Sequence, residues 1–469
     1  MSPGFVIKKS TLLISLALLA SCAMVGPDYQ RPASELPANY TAPQQASDGA
    51  VLSPTWWTLY QDPQLNQLVE QALARNTDIR IALARVEEAD AAMREVGAAL
   101  FPAVNLTGGG TRSRVTEAGA FPVFSSNPRE NYVISAGTSF ELDFWGKLRR
   151  GKEAAKAQAL STRYARDTLR ISLASMVASN YLQLRSLDTQ IKLSQDSLRS
   201  REDSLGLTQR RQDGGVASAL DVHQAQVAVS NLRAQIAEQS RLRSTIQNQL
   251  AVLTGVLDLQ LADADLDSLP VPPVPPAGLP SSLLEARPDV RQAEQNLVAA
   301  NANIGVAKAA LYPSVSLTAS FGGESIELGD VLKSAARVWS TGLSFSLPIF
   351  NAGRLDARVD QAAARQKQML VTYEQALNNA FREVNDALVT TRQTGEREAA
   401  LKVSADAAGK ALQIAEQRYK AGYSAYLEVL DAQRVHNDAT LAYTQARQTR
   451  LVATVELFKA LGGGWQPQP

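Results

Sequence analysis

Apolar and polar residues alternate in three stretches of the chain. In the first, alternate residues from Tyr132 to Phe144 are mostly apolar, and the residues between them are Ser135, Gly137, Ser139, Glu141 and Asp143. The same alternation runs through residues 315–321 and 339–349. Since successive side chains of a strand point to opposite faces, each stretch predicts a two-faced strand. A strand of about ten residues is long enough to cross a bilayer when tilted, although half of a soluble sandwich would give the same pattern.

Apolar residues also recur at intervals of seven in long proline-free segments, which is the spacing of helices packed side by side. The longest segment, Lys147 to Gln212, would form a rod of about 100 Å at about 1.5 Å per residue. A matching segment runs from Leu370 to Tyr419, and shorter ones run from Val222 to Leu250 and from Ala432 to Ala460. A globular domain does not need such rods, so these segments predict the wall of a cylinder.

The chain contains one structural unit twice. The segment AALFPAVNLT at 98–107 returns as AALYPSVSLT at 309–318, and Gly215 has its counterpart in Gly422. Each copy has the same predicted order: a helix, two strands, a very long helix and a medium helix. The first helix of the first copy is predicted from Leu65 to Ala99. A repeated unit is typical of symmetric, tube-like or solenoidal proteins rather than of single-pocket enzymes.

The patterns and the distribution of proline together predict six segments. Six prolines make residues 22–63 an extended arm rather than a domain, and a second proline cluster separates the two repeats. The predicted boundaries are a signal peptide at 1–21, the arm at 22–63, the first repeat at 64–256, a proline-rich linker at 257–281, the second repeat at 282–463 and a tail at 464–469.

The N-terminus has the layout of a secreted lipoprotein. Lys8 and Lys9 precede an apolar run, and Leu19-Ala20-Ser21-Cys22 resembles the bacterial lipoprotein processing box, in which the cysteine is lipidated. Cys22 is the only cysteine of the chain, so an internal disulfide is excluded. We therefore predict a covalent lipid on Cys22. Ala23, rather than aspartate, follows it and points to the outer membrane.

Composition and motifs give no sign of an enzyme. The 469 residues carry a net charge of +1, which predicts no nucleic-acid partner. Gly146-Lys147 and Gly151-Lys152 lack the Ser or Thr that a phosphate-binding loop requires. The two histidines, His223 and His436, lie on heptad helices without a cysteine partner, so packing is favoured over metal binding or catalysis. We predict no catalytic residue, no metal site and no cofactor other than the lipid.

Four strands per chain are too few to close a membrane barrel. An open edge in lipid leaves backbone groups unpaired, at a cost of several kcal/mol each. Two chains would give eight strands and an interior filled by side chains, whereas three would give twelve and leave an aqueous lumen. Because the polar face of the strands is rich in Ser, Thr and Gly, we expect a homotrimer.

Seven segments together are similar to the outer-membrane factors of bacterial tripartite efflux systems, in the lipoprotein branch that resembles OprM and NodT and is more distantly similar to TolC. They span nearly the whole mature chain and read C-AMVGPDYQRP, ELDFWGKLRR, DGGVASALDVHQAQ, ARPDVRQAEQNLVAANANIGVAKAALYPSVSLT, LPIFNAGR, RYKAGYSAYLEVLDAQR and KALGGGW. The resemblance implies a mainly α fold with a membrane β-barrel. It describes a TolC-like homotrimer with a shared 12-stranded barrel and a 12-helix periplasmic tunnel.

The resemblance also implies a gate at the end of the tunnel that lies away from the membrane. In the family, helix turns narrow this end, and a ring of acidic side chains lies just inside. The residues that match the turns are Gly214, Gly215, Ala421 and Gly422, where glycine permits the reversal of the chain. The same turns are expected to contact the adaptor protein.

Glu428 and Asp431 match the acidic ring of the family, and Leu427 matches an apolar ring. Three copies of Asp431 around one axis would repel one another, so we expect some of them to hold protons or cations. A solvated carboxylate at the start of a helix is the alternative interpretation. TolC-like relatives carry an arginine two residues after the glycine of the second turn, whereas this chain has Ser424. The resemblance therefore does not predict the contacts that close the gate.

We therefore predict a passive outer-membrane exit duct of a tripartite multidrug or solute efflux pump, lipid-anchored and barrel-inserted, with a periplasmic tunnel. The expected partners are two further copies of the chain, a periplasmic adaptor, an inner-membrane proton-driven transporter and outer-membrane lipid. Two alternatives stay open. One is a duct dedicated to protein secretion or metal-ion efflux, and the other is a periplasmic coiled-coil scaffold that never enters the membrane.

Overall fold

A computed structural model describes residues 24–33, 36–40, 52–119, 127–275 and 286–466. The chain divides into two compact units, each built from three separate stretches. Unit 1 comprises residues 1–32, 86–162 and 293–373. Unit 2 comprises residues 33–85, 163–292 and 374–469.

Helices account for most of the described residues. They are α1 (Pro63–Arg75), α2 (Thr77–Ala98), α3 (Lys147–Asp213), α4 (Ala219–Thr254), α5 (Pro288–Ala309), α6 (Arg354–Lys420) and α7 (Tyr426–Ala460). Both α3 and α6 run unbroken for 67 residues, as the absence of proline predicts. Within the described part of the chain, none of the helices combines the length and the apolar character that a membrane crossing requires.

The prediction of one helix from Leu65 to Ala99 is wrong, because Asn76 divides it into α1 and α2. The Asn76 side-chain Oδ1 accepts hydrogen bonds from the amides of Asp78 and Ile79 at 2.8 and 3.4 Å. An asparagine side chain competes in this way with the helix backbone and caps the start of a new helix. Its Nδ2 donates to the carbonyl oxygen of Leu253 at 3.0 Å, which fixes the break against the end of α4.

The four strands form one antiparallel sheet in unit 1, and they are β1 (Ala103–Ser113), β2 (Arg129–Glu141), β3 (Ser314–Ser325) and β4 (Arg337–Ser346). Each strand pairs with the next along the chain, so β2 and β3, which come from different repeats, are neighbours at the centre. β1 and β4 lie at the edges. Among the described residues, no further strand pairs with either edge.

Strands β2 and β4 each end three residues earlier than the alternation predicts. After β2, the Asp143 carboxylate accepts hydrogen bonds from the amides of Leu148 and Arg149 at 3.1 and 3.0 Å, which caps the start of α3. After β4, Pro348 has no amide hydrogen for a further strand hydrogen bond. The apolar–polar alternation of the sequence therefore extends beyond the residues that form β2 and β4.

The register of the sheet produces the predicted apolar face. Residues directly opposite in neighbouring strands share a face, and two of the apolar rows are Leu106-Ala136-Phe321-Trp339 and Phe140-Leu317-Leu343. Leu106, Phe321 and Trp339 are 73%, 62% and 73% exposed. This face is therefore not part of the chain's own core.

The opposite face of the sheet is polar, again as predicted. Its rows include Asn105-Gly137-Ser320-Ser340 and Ser139-Thr318-Gly342. The Ser320 and Ser340 hydroxyls are hydrogen-bonded to each other at 2.8 Å, and the Thr318 hydroxyl donates to the Gly342 carbonyl oxygen at 3.3 Å. One face of the sheet thus suits an apolar environment and the other suits water.

Residues 24–32 form an extended strap on the helices of unit 1. Arg31 of the strap pairs with Glu294 on α5 at 2.6 Å, and Asp28 pairs with Arg150 on α3 at 2.5 Å. The Arg150 side chain is only 2% exposed, so its charge needs this partner. This part of the predicted arm is therefore held by ion pairs on α3 and α5.

The main core of unit 2 contains large aromatic and aliphatic side chains that include Trp56, Tyr60, Val177, Leu250 and Phe458. These five side chains come from the segment before α1 and from α3, α4 and α7. The Tyr60 hydroxyl and the Thr454 hydroxyl are 2.6 Å apart, and burial raises the pKa of Tyr60. The core thus joins the start and the end of the described chain within unit 2.

Candidate gate at the two helix turns

Two helix turns in unit 2 carry the residues that the sequence predicts for the gate. The turn between α3 and α4 contains Gly215 with φ +73°, and the turn between α6 and α7 contains Gly422 with φ +83°. These left-handed conformations favour glycine. In the first turn the Val216 amide donates to the Arg211 carbonyl oxygen at 2.9 Å, and the equivalent bond of the second turn has the same length. Both turns therefore end their helix with the same glycine-dependent motif.

The tips of both turns are open to solvent. All four residues predicted for the tips are exposed, namely Gly214, Gly215, Ala421 and Gly422. Beside them, Val216 and Tyr423 are 69% and 80% exposed. An exposed apolar side chain at each tip is compatible with binding of another protein. Contact between these tips and an adaptor stays a prediction.

The two helices that leave the turns begin differently. At α4, Ser218 and Asp221 form a capping box, with the Asp221 amide donating to the Ser218 hydroxyl at 3.2 Å and the Ser218 amide donating to the Asp221 carboxylate at 3.1 Å. At α7, the N-cap is Ala425, which has no capping side chain. Ser424, the residue before this N-cap, has a buried hydroxyl without a partner among the described residues. The start of α7 therefore lacks the side-chain cap that the start of α4 has.

Beneath the turns, an apolar cluster joins the two helix pairs, and its buried members are Ala225, Ala415, Tyr419, Tyr426 and Val429. The rings of Tyr419 and Tyr426 are 5.6 Å apart, and burial raises the pKa of Tyr426. The Arg211 guanidinium lies 4.6 Å from the centre of the Tyr419 ring, and its Nη1 donates to the Tyr419 carbonyl oxygen at 3.5 Å. This cation–π contact ties the end of α3 to the end of α6. The sequence gives no local signal for it.

Both predicted acidic gate residues pair with an arginine of the same chain. Asp431 accepts a hydrogen bond from Arg434 Nη2 at 2.7 Å, and Glu428 lies 3.4 Å from Arg418 Nε. Arg434 also lies 3.6 Å from Asp438. These side chains are all about half exposed or more, so the pairs contribute little to stability in water.

Leu427, Asp431 and Arg434 lie on one face of α7, because they follow each other at intervals of four and three residues. They line a groove of about 640 Å³ between α4 and α7. Leu427 and Asp431 are among the predicted gate residues, whereas Arg434 was not predicted. The signal was present, since a carboxylate and an arginine three residues apart on a predicted helix are expected to pair.

The remaining site predictions concern lipid and metal. Cys22 lies outside the described residues. His223 lies on α4 and His436 lies on α7. Across the residues that the structure describes, no group of three or more His, Cys, Asp or Glu side chains is arranged to hold a metal ion.

Comparison of the sequence with known protein families identifies the class to which this chain belongs. The outer membrane efflux protein family matches residues 68–256 and 279–463, which is most of the chain. The chain therefore belongs to the outer membrane efflux protein family. This is a family of efflux channel proteins rather than of enzymes, and the predicted fold class and function as an outer-membrane exit duct are confirmed.

Individual relatives are similar over nearly the whole chain. The probable efflux pump outer membrane protein TtgC of Pseudomonas putida is 37% identical over 466 residues, which cover 98% of this chain and 96% of TtgC. The cation efflux system protein CusC of Escherichia coli is 34% identical, with 96% of this chain and 98% of CusC covered. The crystal structure of the open state of the MtrE outer membrane channel of Neisseria gonorrhoeae matches with a TM-score of 0.86 at 32% identity, covering 95% of this chain and 99% of MtrE.

Proposed function

We propose that three copies of this chain form the passive, lipid-anchored exit duct of a tripartite efflux pump in the outer membrane. Small molecules enter this duct from the periplasm or from an inner-membrane transporter and leave to the exterior. A proton-driven transporter supplies the energy, and a periplasmic adaptor joins it to the exposed tips of the two helix turns. The duct itself needs no cofactor beyond the lipid on Cys22.

The single observation that carries this proposal is the two-faced sheet with two open edges. Its apolar face exposes Leu106, Phe321 and Trp339, which lipid would cover at a gain of about 25 cal/mol for each Å² of apolar area removed from water. Its polar face is lined by Ser, Thr and Gly and suits a water-filled lumen. Pairing β4 of one chain with β1 of the next satisfies both edges, and three copies make a barrel wide enough for that lumen.

We further propose that the α7 face with Leu427 and Asp431 borders the lumen at the closed end of the duct. The support for this assignment is the position of both residues directly after an exposed helix turn, together with their shared face on α7. Arg434 belongs to the same gate, because it neutralises part of the charge of Asp431.

The proposal is tested by electrophoretic migration and by conductance. We expect the protein extracted from outer membranes to migrate as a trimer in mild detergent and as a monomer after heating. We expect the purified trimer to form channels in planar bilayers. A stable monomer without channel activity would contradict the proposal, and a trimer that stays in the periplasmic fraction would support the scaffold alternative instead.

We expect Cys22→Ser to abolish lipid attachment and yet leave a trimer that inserts into the membrane. The lipid anchors through its acyl chains, at about 0.8 kcal/mol for each buried CH₂, but the apolar face of the sheet holds the membrane independently. Incorporation of labelled palmitate measures the first effect, and heat-modifiable migration of the membrane fraction measures the second. If the variant yields no folded trimer at all, the anchor is required for assembly and this prediction is wrong.

A further inference from the structure

A buried guanidinium in unit 2 has no carboxylate partner. Arg201, on α3, is 9% exposed, and no Asp or Glu oxygen of the described residues lies within 4.0 Å of its side-chain nitrogens. Its Nη1 donates to the Ala228 carbonyl oxygen on α4 at 3.2 Å. Its Nε is buried and has no hydrogen-bond partner in the described part of the chain. Because a guanidinium stays charged in proteins, such burial is strongly unfavourable unless a counter-charge is supplied.

Arg201 lines a cleft of about 310 Å³ whose walls come from α3, α6 and α7. Most of the other lining side chains are neutral and polar, namely Ser197, Ser200, Gln433, His436, Asn437 and Thr440. Gln433 and Asn437 are only 5% and 7% exposed. Buried polar side chains are normally paired, so a polar cleft around a buried charge indicates a bound partner.

Two of these side chains have hydrogen-bonding capacity left over. The Gln433 amide lies 3.5 and 3.3 Å from the hydroxyls of Ser200 and Ser204, and its second polar atom is buried without a partner in the described residues. Either orientation of this amide satisfies the serines, because a hydroxyl both donates and accepts, so Gln433 is able to present its NH₂ group to the cleft. His436 Nδ1 is also buried without a hydrogen-bond partner among the described residues, and it is a hydrogen-bond donor when it carries the proton.

The nearby acidic side chains are already engaged elsewhere. Asp196 lines the cleft but pairs with the exposed Arg199 on the same helix. Asp438 on α7 is close enough to act on the charge of Arg201, but it pairs with Arg434 at 3.6 Å. The net effect of the surroundings is that burial lowers the pKa of Arg201. No carboxylate of the described residues is therefore paired directly with Arg201, which leaves room for a counter-charge from outside the chain.

We propose that Arg201 and the polar side chains of this cleft bind a small oxyanion, which is either inorganic phosphate or sulfate or the carboxylate of a small organic acid. The planar set of N–H groups on a guanidinium matches the oxygens of such an anion, and the side chains of Ser200, Gln433 and Asn437 supply neutral donors. The bound oxyanion links α3 to α7, so it stabilises the helix packing that supports the candidate gate.

Thermal unfolding of the purified trimer in detergent tests this site. Sodium phosphate, sodium acetate and sodium chloride are compared at matched ionic strength, so that general screening is equal in all three. We expect phosphate or acetate to raise the unfolding midpoint by several degrees in a saturable manner relative to chloride, because a ligand that binds only the folded state stabilises it. The stronger of the two responses distinguishes an inorganic anion from a carboxylate. Equal midpoints in all three salts would overturn the proposal.

Arg201→Met separates the site from a general salt effect, because it keeps an unbranched apolar stem and removes the charged guanidinium. We expect this variant to lose the oxyanion response, while its midpoint in chloride equals or exceeds that of the wild type, since an unpaired buried charge is gone. The matched control is Arg233→Gln, which removes an exposed arginine that pairs with Glu202, and it should respond like the wild type. If Arg201→Met keeps the oxyanion response, the proposal is overturned. It is also overturned if this variant is less stable than the wild type in every salt, because that result would mean that a carboxylate of a neighbouring chain neutralises Arg201.

Gln433→Met provides a second test should Arg201→Met fail to fold. This substitution removes only a neutral donor from the cleft, so we expect the oxyanion response to persist with a half-saturating concentration about tenfold higher. An unchanged half-saturating concentration in this variant would show that the oxyanion does not occupy the cleft.

Discussion

Replacing Asp431 with alanine is expected to raise the conductance of the trimer in planar bilayers severalfold and to weaken its preference for cations. The gate that we propose carries three acidic side chains and two arginines per chain, namely Glu428, Asp431, Asp438, Arg418 and Arg434. Their sum is −1 per chain, and the substitution makes it zero. Three chains then lose three negative charges around one axis, while the shorter side chain widens the constriction.

Adding Glu428→Ala to this variant is expected to raise the conductance further. Glu428 lies 3.4 Å from Arg418 at the end of α6, and its replacement removes a second carboxylate per chain from the proposed gate and shortens a second side chain there. The second turn also lacks the side-chain cap that the first turn has, because α7 begins at Ala425. Single-channel recordings of the single and the double variant at the same salt concentration measure both effects.

The matched control for the gate is Glu238→Ala on α4. Glu238 pairs with Arg241 three residues later, just as Asp431 pairs with Arg434, and all four side chains are exposed to a similar degree. We expect this control to conduct like the wild type, because Glu238 is not part of the proposed gate. If Asp431→Ala and Glu238→Ala both leave the conductance unchanged, Asp431 does not line the constriction.

The sheet and the long helices were predictable because their signals are local and periodic. The alternation around Ile134 and Ala136 depends only on neighbouring residues, and the register of the sheet keeps it on one face across four strands. The absence of proline between Lys147 and Asp213 likewise permits an unbroken helix whatever the rest of the chain does. Patterns of this kind predict the structure correctly because they do not depend on tertiary contacts.

Features that depend on one side chain meeting a distant partner were not predictable. The hydrogen bond from the Asn76 side chain to the Leu253 carbonyl oxygen joins distant parts of the chain, and the contact between Arg211 and Tyr419 joins residues more than 200 positions apart. The pair of Asp431 and Arg434, in contrast, was predictable, because a spacing of three residues on a helix is visible in the sequence. The gate residues on α7 were therefore predictable from the sequence, whereas the contacts between the surrounding helix ends were not.

Proline in the open edge of β4 is expected to abolish the trimer. Backbone N–H groups along an edge strand point alternately towards the neighbouring strand and towards the open side. Of the adjacent substitutions Thr341→Pro and Gly342→Pro, one therefore removes a hydrogen bond to β3, and the other removes a donor that we assign to β1 of the next chain. Each unpaired backbone group in lipid costs several kcal/mol, and the loss recurs at every subunit boundary.

The decisive variant is the one that removes the N–H group on the open side of β4, because it leaves the pairing of β3 with β4 within the chain intact. We expect it to lose both the heat-modifiable trimer and the channel conductance while its helices still give the far-ultraviolet circular dichroism of the wild type. Leu343→Ala on the same strand is the control, because it removes an exposed apolar side chain and keeps every backbone donor, so its trimer should persist. A wild-type trimer in both proline variants would mean that β4 does not close the barrel. The sheet would then need another partner for its apolar face and its two open edges.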